Sequence, residues 1–137
     1  MKKWIVIAIL AVVVLIGALV AAGFALFSGV AHLMDSTDAH VCGLAAVRRS
    51  PAAIALVGTP IVQDGFTGGS SSSENGELHE RITFTVKGPK GQAFVLATGD
   101  RSPLASHLVV QAGRDGTSST IYSGPFACAE LEAHHPR

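Results

Sequence analysis

The chain has 137 residues, and its ten Lys/Arg balance ten Asp/Glu, so the formal net charge is zero. That balance removes the basic footprint on which nucleic-acid binding depends. The apolar excess, 48% of residues against 15% charged, is concentrated near the N-terminus, leaving one small domain of roughly 90 residues with limited capacity to bury a core.

Residues 4–27 carry no charge and follow Lys2 and Lys3. A helix of that length reaches about 36 Å, enough to cross a hydrocarbon layer of about 30 Å with some tilt. Residues 1–27 are therefore expected to be a cytoplasmic stub and a transmembrane anchor. The competing reading is a cleaved secretory signal, with an apolar stretch of about 7–15 residues and a small-residue cleavage site. Ala21, Ala22 and Gly23 offer small residues, yet Phe24, Leu26 and Phe27 carry the apolar run past them, which favours the anchor. Lys2 and Lys3 direct the N-terminus to the cytoplasm. The expected location is the inner (cytoplasmic) membrane, single-pass, with the C-terminal domain extracytoplasmic.

Residues 28–36 read as a linker, and residues 37–126 as an extracytoplasmic α+β domain. Ser36 or Thr37 is suited to cap a helix that carries Asp38 in its first turn and Val41, Leu44 and Ala45 as an apolar stripe. Ser50-Pro51 should break it and start a second short helix, which Gly58 and Pro60 end. Residues 61–66 form the first expected strand. The stretch GGSSSSENG at 68–76 reads as a flexible polar loop. It lacks the lysine and the strand-to-helix setting of a phosphate-binding loop.

Residues 78–86 alternate. Leu78, Ile82, Phe84 and Val86 share one face, and His79, Arg81, Thr83 and Thr85 the other, as in a half-buried antiparallel strand. Glu80 interrupts the apolar face; with Glu74 and Glu77 it reads as solvated. Gly88-Pro89-Lys90-Gly91 is a tight turn. Strands are expected at 92–98, 104–112 and 117–122, with turns at 99–103 and 113–116. Residues 127–137 form a tail rich in Ala, Glu and His. The fold class is thus α+β: an N-terminal transmembrane helix, then one or two short helices on a four- to five-stranded antiparallel meander.

Cys42 and Cys128 are the two cysteines. Outside the cytoplasm they could form a disulfide closing a loop of about 86 residues, contributing on the order of 4 kcal/mol. Two free thiols, or a redox or copper pair, are the alternatives, although such pairs usually sit two or three residues apart. The six histidines show no HxH, HxxxH or CxxC spacing, so no metal site is expected. His79 and His107 fall on different strands, and their pairing depends on register. Solvent-facing histidines are the simpler reading. No nucleophile elbow or acid–base pair is present, so no catalytic residue is assigned, no cofactor is expected and the chain reads as a non-enzyme. Arg48, Arg49, Lys87 and Lys90 are the candidate partner contacts, as charged groups at exposed element ends.

Several stretches together resemble one family. These are Ser50-Pro51, then Leu56-Val57-Gly58-Thr59-Pro60-Ile61, then Gly65 and Gly68-Gly69, and finally Phe84-Thr85-Val86-Lys87-Gly88-Pro89-Lys90-Gly91. In this order they resemble the cytochrome oxidase complex assembly factor one family and its bacterial relatives. The resemblance covers most of residues 40–123, and the anchor by position. Leu104 stands where members often carry tryptophan, and neither the cysteines nor the histidine-containing tail belong to the pattern. The resemblance implies a helix packed on an antiparallel sheet, similar to an inner-membrane protein-import subunit. It implies a non-catalytic role in early oxidase assembly, and hence an interaction module whose partners are the membrane and a membrane-protein complex such as respiratory oxidase subunits. The alternative is an extracytoplasmic carrier or sensor of lipid, haem or metal, with a pocket beneath the helix lined by Ile54, Phe84 and Phe94.

Overall fold

The computed structural model describes residues 2–126 and 128–134. Two units divide between His32 and Leu33. The first lies within helix α1, Lys2–Asp35. Its apolar span, Lys2–Val30, is unburied within the chain and is long and apolar enough to cross a membrane. Residues 28–35, expected to be linker, continue this helix. No proline interrupts them, and the Ser28 hydroxyl donates back to the Phe24 carbonyl at 2.9 Å, so the serine is absorbed within the helix.

In the second unit, α2 (Asp38–Arg49) is capped by Thr37, whose hydroxyl accepts from the His40 N–H. Ser50 ends α2 and caps α3 (Pro51–Val57), accepting from the Ala53 N–H at 3.3 Å with Pro51 in the first turn. Gly58, at φ 79°, closes α3 in the left-handed region. The capping reading of both helices holds.

Five strands follow in a meander, with spatial order β1-β2-β3-β4-β5. They are β1 (Val62–Glu74), β2 (Glu77–Gly88), β3 (Gly91–Arg101), β4 (Ser106–Arg114) and β5 (Thr117–Gly124). The largest departure from expectation is β1. The serine-rich stretch is not a loop but the second half of a long edge strand, in which Gly69 pairs with Ile82 and Ser73 with Leu78. Backbone pairing to β2 needs no side-chain pattern, and the hairpin is set by Asn75 (φ 52°) and Gly76 (φ 79°). Two adjacent left-handed residues form the tight turn that matches strand twist. Asp115 and Gly116 repeat this geometry between β4 and β5. The β3–β4 turn sits at 102–105 rather than 99–103, and Leu104 stands 98% exposed on it.

The core lies on one face of the sheet. Ile82, Phe84, Val86, Val95, Ala97, Leu108 and Val110 pack against Ala39, Cys42, Val47, Ala53 and Val57 of the helices. Ala39, Gly43 and Ala97 are small where α2 crosses the sheet, so helix and strands approach closely. The opposite face, carrying Thr83, Thr85, Phe94 and Leu96, has no helix over it among the described residues. Beyond β5, Cys128 is disulfide-bonded to Cys42 with a Cα–Cα distance of 5.6 Å. Helix α4 (Ala129–His134) then lies on α2, with Leu131 against the core. Residues 128–134 of the segment expected to be a tail are thus built into the fold. His135 lies outside the described residues.

Candidate interaction surfaces

Three of the four cations chosen from sequence gather at one end of the domain. Arg48 donates from Nε to the Ile61 carbonyl at 3.1 Å, tying the end of α2 to the start of β1. Val62, the next residue, pairs with Lys87. The Lys90 N–H donates to the Val57 carbonyl at 2.8 Å, at the end of α3. A Cβ at Gly88 would collide with that same carbonyl, so the glycine lets the β2–β3 turn seat beneath the helix. Lys87 and Lys90 are exposed. Arg49 turns away instead, to an ion pair with Glu130 of α4.

Arg114 belongs with this end and was not singled out from sequence. Its Nη2 donates to the Leu56 carbonyl and its Nε to the Gln92 carbonyl, each at 2.9 Å. A guanidinium at the C-terminal end of α3 neutralises orphan carbonyls and the negative end of the helix. It could not be picked out because the contact spans 58 residues. These cations share one end of the domain: Arg48 and Arg114 brace the fold on the helix side, Lys90 lies on the β2–β3 turn, and the alternation of β2 puts Lys87 on the open face. The lysine ammonium groups make no ion pair among the described residues.

At the opposite end, the start of α2 rests on charged groups. Glu80, read from sequence as solvated, is only 6% exposed. Its Oε2 accepts from the Ala39 N–H at 3.2 Å. The interruption in the alternation of β2 is therefore a carboxylate aimed at the N-terminal end of α2, where exposed N–H groups favour negative charge. Burial pushes the Glu80 carboxyl above its usual range; the Ala39 N–H opposes this, the Asp38 charge adds to it and Arg101 opposes it. Arg101 donates from Nη1 to Asp38 Oδ2 at 2.7 Å and stacks 4.4 Å above the Phe126 ring centroid. His40, expected in solvent, is 5% exposed and meets the Phe84 ring edge-on at 4.8 Å.

The carrier reading places a pocket lined by Ile54, Phe84 and Phe94 beneath the helix; α2 instead packs closely over Phe84 and Ala97, and an open cavity of about 220 Å³ lies to the side, between Cys42 and Ala46 of α2 and Leu108, Ile121 and Tyr122 of the sheet. A Cβ on Gly43 would lie 3.0 Å from that of Ala97 and 3.6 Å from the Phe84 ring. Phe94, assigned to that pocket, projects from the other face and is 54% exposed. Alternation along β3 puts Ala93, Val95 and Ala97 inward, and Phe94 must therefore face outward. Among the described residues Ser123 Oγ lies 3.3 Å from His107 Nε2. Its nearest acidic neighbour, Asp100, is engaged by His79 instead, so this is not a charge-oriented nucleophile.

The family model described as cytochrome oxidase complex assembly protein 1 matches residues 8–112, from within α1 into β4. No curated protein and no solved structure matches the chain.

Proposed function

This chain belongs to the cytochrome oxidase complex assembly protein 1 family, and on that premise we propose that it is a membrane-anchored, non-enzymatic interaction module assisting assembly of a respiratory oxidase. The observation that carries the proposal is the extent of the match, which takes in both the apolar helix and most of the sheet. Family membership associates the chain with cytochrome oxidase assembly. The anchor, its orientation and the partners are our reading.

In this reading α1 stays uncleaved, Lys2 and Lys3 hold its start in the cytoplasm, and the sheet domain works outside. The Cys42–Cys128 bond supports that side of the membrane, since disulfides persist where thiols are not kept reduced. In this reading residues 1–27 serve as stub and anchor, 28–36 as the connection, 37–126 as the working domain and 127–137 as the C-terminal segment. Anchoring confines the domain to a thin layer at the bilayer and raises its effective concentration toward membrane-embedded oxidase subunits.

Two surfaces suit such a partner. The end of the domain around the β2–β3 turn offers the exposed Lys87 and Lys90, with Arg48 at the same end on the helix side, and Arg49 adds a cation on the α4 side. The outer edge of β1 offers unpaired backbone groups along Gly68-Gly69-Ser70-Ser71-Ser72-Ser73, a run without the charge or proline that usually protects an edge. An extended segment of a client could add there as a sixth strand. Deleting the chain in its source organism tests the proposal: the expected outcome is loss of assembled oxidase, recovered by the full chain but not by one lacking residues 1–27. Normal oxidase levels in the deletion would sink it.

A further inference from the structure

The strand register aligns three side chains that sequence alone could not bring together. His79 of β2 stands opposite Asp100 of β3, and Asp100 stands opposite His107 of β4. Opposed residues on neighbouring strands project from one face, here the face that α2 and α3 leave open. Glu77, two residues before His79, lies on that face as well. His79 Nδ1 is 2.6 Å from Asp100 Oδ1. This contact orients the ring and leaves Nε2 as the nitrogen available to a ligand, the carboxylate–histidine arrangement of metal-binding histidines.

His79 Nε2 lies 3.7 Å from Glu77 Oε2. That is long for a hydrogen bond but close to the separation of two ligands on one tetrahedral ion, about 3.3–3.6 Å when each metal–ligand bond is about 2.0–2.2 Å. Glu77, His79, Asp100 and His107 line a single open cavity of about 370 Å³. Arg101 also borders it, but its guanidinium is held by Asp38 and Phe126 on the helix side.

We propose that Glu77, His79 and His107, with Asp100 orienting His79, form a binding site for a divalent transition-metal ion of the zinc type. Among the described residues no three such side chains yet converge on one point. His79 and Glu77 stand ready, while His107 is turned toward Ser123. His107 is exposed, so rotation about its own side-chain bonds carries it over Asp100. Two strand spacings, about 10 Å between the histidine backbones, are spanned by two imidazoles leaning inward. Two imidazoles and a carboxylate suit a borderline ion better than calcium or magnesium, which favour oxygen alone.

The test is a titration of the full-length chain in detergent micelles, with Zn²⁺ alone followed by calorimetry and Co²⁺ alone followed by visible absorption. The expected result is one ion per chain, with tetrahedral cobalt bands. Affinity should fall at least about tenfold in His79→Gln and in His107→Gln, and about tenfold in Asp100→Asn through loss of ring orientation. A chain carrying His134→Gln and His135→Gln should bind as the unaltered chain does. Absence of binding would overturn the assignment. So would binding that survives in the His79→Gln, His107→Gln double variant, or that is lost only with the C-terminal histidines.

Discussion

Glu80 shows how one side chain can look like an error in a pattern and be part of the architecture. It sits in the apolar series of β2 because that series faces α2, and the end of α2 above it presents N–H groups rather than side chains. The cost of the arrangement is visible in its ionisation, since burial raises the carboxyl above its ordinary value of 4.5. A group whose native pKa is raised stabilises the fold fully below its unfolded pKa, and this contribution is lost as pH rises through the native value. Glu80→Gln keeps an oxygen acceptor for Ala39 and removes the titration. Its stability at neutral pH should equal or exceed that of the native chain, and the decline in stability as pH rises above about 4 should flatten. Denaturant melts across pH measure this, and an unchanged pH profile would contradict it. His79 acts in the same direction at higher pH. The Asp100 hydrogen bond, opposed by desolvation and aided by the charges of Asp100, Glu77 and Glu74, raises its pKa. Its contribution is therefore present below the unfolded value of 6.5 and fades above it.

Among the elements, legibility followed burial. The alternation at 78–86 was readable because one face of β2 is in the core, and the two helices were readable because Thr37, Ser50, Pro51 and Gly58 each do a job that few other residues do. The second half of β1 was not readable as a strand. An edge strand with serine on both faces carries no periodicity, and its existence depends on β2 lying alongside. The signal that was available is Asn75-Gly76, the dipeptide most suited to a two-residue hairpin, which places both flanking segments in strands. The GPKG turn was visible as a turn, but its contact with the end of α3 was not, because that contact links residues far apart in sequence. Gly88→Ala should cost about 1–3 kcal/mol by forcing the turn off Val57, whereas Pro89→Ala, at an exposed position, should change stability little. Equal melts for the two would refute the seating of the turn. Breaking the Cys42–Cys128 bond, by reduction or by serine at both positions, should lower stability by about 2–5 kcal/mol. It should loosen α4 first, since the bond ties that helix to α2; hydrogen exchange at residues 129–134 reports it.

For the whole molecule, composition and the apolar helix bounded the class, and the five-stranded sheet under two short helices completed the expected architecture. The cation-bearing end of the domain was assembled only in part from sequence. Arg48, Lys87 and Lys90 share that end, Arg49 parts from them toward Glu130, and Arg114 joins through folding alone. Orientation has its own test. With the domain outside the cytoplasm, alkylation of intact cells under denaturing quench should find Cys42 and Cys128 protected as a disulfide, and reactive thiols at both positions would place the domain on the other side. The central claim is that this domain meets oxidase components at the membrane. Crosslinking in native membranes, followed by purification through a C-terminal tag and mass spectrometry, tests it most directly. Enrichment of oxidase subunits or of their insertion factors, reduced when Lys87 and Lys90 are replaced by glutamate, is the predicted result; enrichment of an unrelated membrane complex, with oxidase components absent, would contradict it.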